Sequence, residues 1–297
     1  MSEAALQQHA TRSGRDVLRD YLSLLKLRIV LLLVGTAVGP MIPAARGLPR
    51  GSVVLAVIAG GTMAAGGAHA INCWLDRDID AVMKRTRRRP IPDGRIPASH
   101  AVALGVALNV AAFVVLATLT NLVAALLALT GTLIYVFVYT LWLKRWTSQN
   151  IVIGGAAGAM PPLVGWAAVT GRLDVTALSL FLVILFWTPP HFWALAQMIR
   201  RDYERANIPM MPIAAGPGST KRQSLAYAVV TMAVSVVPFF THAEGVVYLA
   251  GAVVLGLGLV TLAAFDLLGQ GWTRRLYGYS SLYLAALFVL LAVGILA

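Results

Sequence analysis

Apolar residues come in long unbroken runs, separated by short stretches that hold nearly all the charge. Nine runs lie near 27–45, 53–80, 100–119, 122–141, 150–169, 176–199, 223–241, 245–267 and 278–296. Each is near the length of roughly 20 residues that crosses a hydrocarbon core as a helix. They are rich in Leu and Ala and lack the period-two alternation of a barrel strand. The pattern predicts an all-α integral membrane protein, with nine transmembrane helices around a central cavity. The connections near 119–122 and 241–245 are short, so the helices they join form antiparallel hairpins.

Composition sharpens this. Of 297 residues, 59% are apolar and 12% charged, about half the charged share of a soluble domain. The net charge of +12 would suggest nucleic acid in a soluble chain. Here the distribution argues for a lipid bilayer and against nucleic acid. Of 24 Lys and Arg, only Arg46, Arg50 and Arg172 lie toward the side opposite the rest. The positive-inside rule then puts the N-terminus in the cytoplasm and the C-terminus outside. Residues 1–26 mix both charges and lack an apolar stretch, so they read as a cytoplasmic tail rather than a signal peptide. Residues 27–297 form one nine-helix domain. The single cysteine, Cys73, allows no internal disulfide.

Three of the twelve acids fall within Asn72 to Asp80. A charged Asp within a span costs about 2.5–3.5 kcal/mol at its centre and less near an end, so a cluster calls for a counter-charge. At about 100° per residue, Asn72, Asp76 and Asp80 share one helical face, and Asp78 points away. An amide and two carboxylates suit Mg²⁺, which takes hard oxygen ligands and is often completed by substrate phosphates. A basic stretch follows, with Lys84, Arg85, Arg87, Arg88, Arg89 and Arg95. Acids for a metal and cations for phosphate oxygens together fit a metal–diphosphate complex at one membrane surface. A plainer alternative pairs Asp76 and Asp80 with Arg77 and Lys84 at a solvated helix end.

The second half weakly echoes the first. Run six leads into Arg200, Arg201, Asp202, Tyr203, Glu204 and Arg205 much as run two leads into Asp76–Arg89. Paired interruptions at corresponding positions point to a site between half-bundles. Lys144 and Arg145 supply further cations on the same side. His191 follows Pro189 and Pro190, where a helix break is expected. A histidine there could ligate iron or bond a freed carbonyl; His69 is a second candidate.

Asn72-x-x-x-Asp76-x-x-x-Asp80 in a nine-span chain resembles the UbiA-type intramembrane prenyltransferases. The stretches 139–145, 150–155, 158–166, 187–196 and 202–212 are similar to the heme O synthase branch of that family. The resemblance implies transfer of farnesyl from farnesyl diphosphate to the 2-vinyl group of heme B, with water adding and diphosphate leaving. By the family pattern Asn72, Asp76 and Asp80 are catalytic and hold Mg²⁺, and Asp202 stands at the second motif. The branch carries that motif in reduced form, with one Asp after two Arg. Lys84, Arg88, Lys144 and Arg145 are the expected diphosphate-binding cations, and His191 and His69 the candidate heme contacts. The implied location is the bacterial plasma membrane, with the site toward the cytoplasm and a heme A synthase as a candidate recipient of product. Rival readings are the same chemistry on a quinone precursor or chlorin, a transporter, and a non-catalytic heme-binding assembly factor.

Overall fold

A computed structural model of the chain describes residues 13–269 and 271–294. Residues 1–12 of the expected tail and 295–296 of the ninth run lie outside them. Among the described residues, nine helices are long and apolar enough to cross a membrane. They are α2 (Leu27–Ala45), α3 (Gly51–Leu75), α5 (Ala98–Leu119), α6 (Leu122–Trp146), α7 (Asn150–Thr170), α8 (Val175–Met198), α11 (Gly216–Phe240), α12 (Val246–Leu268) and α13 (Thr273–Val293). Four short helices accompany them: α1 (Gly14–Leu24), α4 (Arg77–Val82), α9 (Arg200–Arg205) and α10 (Met211–Ala214).

Local chemistry sets several ends. Asn121 accepts a hydrogen bond from the Ala124 amide at 3.0 Å, and Asp174 from Ala177 at 3.0 Å, capping α6 and α8. Gly171, at φ 71°, closes α7 in the left-handed conformation. Helices α11 and α13 begin earlier than the apolar runs at 223 and 278 suggested. Their first two turns carry Lys221, Arg222, Arg274 and Arg275, which a hydropathy pattern assigns to loops. Part of the expected tail is helical. Helix α1 buries Leu24 beside Ala70 and Cys73 and pairs Asp20 with Arg95.

Helices α2, α3, α5 and α6 pack around Met41, Val57, Leu116 and Ala125. Helices α8, α11, α12 and α13 pack around Leu180, Val183, Tyr248, Leu259 and Leu287. Helix α7 contributes to both clusters, with Val164 and Ala167 in the first and Leu163 and Trp166 in the second. The α3–α5 crossing depends on paired glycines. A Cβ on Gly67 would stand 2.7 Å from the Gly105 carbonyl oxygen, and one on Gly105 would stand 2.7 Å from that of Gly67. Small residues at such crossings let membrane helices approach closely. Exposed Leu31, Leu32, Val254 and Leu268 lie on the outer surface, where lipid would solvate them.

Candidate active site

The site begins where α3 breaks. Asp76 leaves helical geometry, at φ −89° and ψ 7°, and Arg77 starts α4. The expected continuous helix through position 80 is therefore kinked. Its four-residue step survives, because the Asp76 amide still bonds Asn72 O at 2.9 Å and the Asp80 amide bonds Asp76 O at 2.7 Å. Asn72, Asp76 and Asp80 accordingly turn inward, only 3%, 2% and 3% exposed. Asp78 points out.

Cations from three elements converge on this face. Lys144 Nζ lies 2.6 Å from Asp76 Oδ2, and Asn72 Nδ2 donates to the same oxygen at 2.7 Å. Lys26 Nζ donates to Asn72 Oδ1 at 2.7 Å, and Arg89 donates to Asp80 Oδ2 at 2.6 Å. The acids thus pair with Lys144 and Arg89 rather than with their near neighbours Arg77 and Lys84. Burial pushes the Lys26 ammonium below its ordinary value, and Arg89 and Lys144 push the same way. Lys26 also adopts a left-handed backbone, φ 51°, uncommon for a side chain of its size. Asp76 Oδ1 is buried without a hydrogen-bond partner among the described residues.

A π-turn delivers the wall below. Residues Ile134–Leu143 of α6 wind as a π-helix, a rare geometry frequent at functional sites. With bonds reaching five residues back, Tyr135, Tyr139, Thr140 and Lys144 come to one side. Thr140 Oγ1 donates to Tyr135 O at 2.8 Å and receives Asn72 Nδ2 at 3.1 Å. The rings of Tyr135 and Tyr139 stack at 5.7 Å. The Tyr135 hydroxyl meets His69 Nδ1 at 3.2 Å. Gly154 of α7 makes room for Tyr139, since a Cβ there would strike the ring.

The second charged loop repeats the break. Ile199, at φ −112° and ψ 28°, separates α8 from α9. Tyr203 of α9 has its phenol pushed up to about 12, first by burial and then by Tyr139, while Lys144 and Arg85 oppose. It therefore stands within the electrostatic reach of the first motif. Beside it, Ile79 and Met83 pack on Trp193, Ile208, Met210 and Met211 in an apolar plug joining both loops.

The other anticipated residues are dispersed. Arg145 grips Asp78 with two bonds of 2.7 Å and the Leu75 carbonyl with one of 3.0 Å. Its charge holds the Asp78 carboxyl down to about 2, chiefly through those hydrogen bonds. Lys84 and Arg88 are exposed. Arg88 lines a cavity of about 560 Å³ with Arg19, Arg89 and Arg95. Asp202 has Arg205 at 3.7 Å. His191 sits on a helix that continues through Pro189 and Pro190, so the expected break is absent. Membrane helices tolerate proline when neighbours hold them in place, and Trp187 Nε1 ties α8 to Ser280 O of α13 at 2.7 Å. Lys26 and Thr140 were not anticipated from sequence, and Arg89 and Tyr203 stood there only as members of their charged stretches. Arg89 is one of five basic residues between 84 and 89, with nothing local to single it out.

Mg²⁺ suits these donors. No group of three or more His, Cys, Asp or Glu converges among the described residues. The Asp76 and Asp80 carboxylates and the Asn72 amide oxygen, with Asp76 Oδ1 left free of hydrogen bonds among the described residues, match an ion completed by phosphate oxygens.

A nine-span bundle with a buried amide–carboxylate face ringed by cations is the architecture of an intramembrane prenyltransferase. The chain belongs to the UbiA prenyltransferase family, which residues 32–271 match. It is 50% identical over 283 residues to a protoheme IX farnesyltransferase of Symbiobacterium thermophilum, covering 94% of each. It is 52% identical over 281 residues to the protein of that name from a Roseiflexus species. There the match takes in 94% of this chain but 52% of the relative, so the chain spans about half of the latter's length. The fold matches a solved digeranylgeranylglyceryl phosphate synthase at a TM-score of 0.77, with 16% identity, over 94% of this chain and 99% of that one. It matches a UbiA homologue of Archaeoglobus fulgidus bound to DMAPP and Mg²⁺ at 0.66, with 16% identity, over 92% and 99%.

Proposed function

We propose that the chain transfers the farnesyl group of farnesyl diphosphate to the 2-vinyl group of heme B, giving heme O and diphosphate. The buried Asn72–Asp76–Asp80 face, met by Lys26, Lys144 and Arg89, carries this reading. The likeness to protoheme IX farnesyltransferases along the chain supports the choice of acceptor.

The allylic C–O bond breaks, and its electron pair leaves on diphosphate. The terminal vinyl carbon bonds to farnesyl C1, and water adds its oxygen to the neighbouring carbon and loses a proton. Asp76 and Asp80, with Asn72, would hold Mg²⁺, which when bound supplies positive charge against the leaving diphosphate. Lys144, Lys26 and Arg89 neutralise phosphate oxygens and lower the barrier as negative charge develops there. Exposed Lys84 and Arg88 draw the incoming anion toward the site. Arg145 braces α4 through Asp78, which fixes the aim of Asp80. Asp202 serves as the reduced second diphosphate motif on α9, beside Tyr203. The rings of Tyr135 and Tyr139 stabilise the allylic cation by cation–π contact. The plug around Met83 and Met211 excludes water until transfer. His191 contacts the porphyrin, while His69, hydrogen-bonded to Tyr135 beneath the acids, lines the farnesyl side.

The site faces the cytoplasm of a bacterial plasma membrane, because the basic loops share its end of the bundle. Heme A synthase is the proposed recipient of heme O. Asp76→Asn should leave a folded, heme-binding protein whose farnesyl transfer falls about 100-fold or more, as on losing a charge-stabilising group. Undiminished turnover would overturn the assignment.

A further inference from the structure

His191 is held by more than packing. Its ring lies between Trp187, at 4.3 Å and 20°, and Tyr277, at 4.8 Å and 26°. Phe192 meets its edge at 5.5 Å. A ring stacked on both faces keeps its plane. What remains to be set is which nitrogen carries the proton.

Ser280 sets it. This fully buried serine of α13 contacts His191 Nδ1 at 2.8 Å and the Tyr277 carbonyl oxygen at 2.8 Å. A hydroxyl has one proton, and a carbonyl only accepts. Both bonds exist together only if Ser280 donates to Tyr277 O and accepts from His191 Nδ1–H. With the proton on Nδ1, Nε2 carries the lone pair. Metal-ligating histidines show this arrangement: the other ring N–H is given to an acceptor, which fixes the tautomer and raises the basicity of the ligand. His191 lies eight residues before Ile199, about 12 Å inward from the charged end of α8.

We propose that His191 Nε2 ligates the iron of the porphyrin acceptor, with Ser280 as the positioning residue that presents it. The inference rests on heme B being the substrate. An iron tether at this depth would limit how the porphyrin can turn within the bundle.

Resonance Raman and absorption spectra of the purified chain with ferrous heme B, without farnesyl diphosphate, test this. Wild type should show an iron–imidazole stretch, and His191→Ala should lose it. Ser280→Ala keeps the backbone carbonyl that receives Trp187. It should lower the stretching frequency and weaken heme binding by about 10–100-fold, and Ser280→Thr should restore both. While wild type still makes farnesylated heme, an iron–imidazole stretch missing from wild type or retained in His191→Ala would overturn the ligand; should His191→Ala not fold, an unchanged stretch in Ser280→Ala would overturn the proposal that Ser280 presents it. A wild type that neither binds nor farnesylates heme would overturn both this and the proposed function.

Discussion

A carboxylate as buried as Asp76 requires positive charge beside it, and Lys144 supplies that at 2.6 Å. Removing one partner of a buried ion pair costs about 3–5 kcal/mol, because the other is left uncompensated. Lys144→Met should therefore lower the melting temperature of the substrate-free protein markedly. Asp76→Asn in that background should recover most of the loss. Strictly additive effects in this double-mutant cycle would mean that the pair is not coupled. The acids themselves were legible in the sequence, because charge in an apolar run is costly and their spacing matches a helical face. Of their partners, Lys144 was legible as a cation on the same side, whereas Lys26, and Arg89 as the one chosen from its basic stretch, were not. Lys26 and Arg89 reach the face from 46 and nine residues away in sequence, and only tertiary structure brings them there.

At the scale of elements, the nine spans follow from run length alone. The kink at Asp76 does not, because neither Gly nor Pro marks it. The π-turn over Ile134–Leu143 is equally hidden. Its residues are nearly all apolar, so a change of winding leaves no trace in their periodicity. The prolines of α8 err in the other direction, since they announce a break that the surrounding helices suppress. Gly154 is a direct test of the π-turn's packing. Gly154→Ala should cost about 1–3 kcal/mol, the usual range for overpacking, and slow farnesyl transfer by displacing Tyr139. Gly158→Ala meets nothing within 4 Å and should leave melting and activity unchanged. Equal behaviour of the two variants would show that Tyr139 does not depend on the α6–α7 approach.

Across the whole molecule, charge is divided between two ends. One end gathers the basic loops and the site. At the other, Glu244 is buried beneath the α11–α12 turn, and neither carboxyl oxygen has a hydrogen-bond partner among the described residues. Burial pushes this carboxyl up to about 7. An acid whose folded pKa is raised adds stability that is fully present below its unfolded value and is lost as pH rises through the folded one. Melting temperature should thus fall between about pH 5 and pH 8. Glu244→Gln should flatten that slope and raise stability at pH 8; an unaltered slope would assign the pH dependence elsewhere.

The central claim is that the acid face and its cations carry farnesyl to a porphyrin. Incubating the purified chain with heme B, farnesyl diphosphate and Mg²⁺, then weighing the extracted heme by mass spectrometry, tests it most directly. The expected product is heavier than heme B by one farnesyl group and one hydroxyl, and absent when Mg²⁺ is chelated. Recovery of heme B alone from wild-type protein supplied with all three would contradict the account.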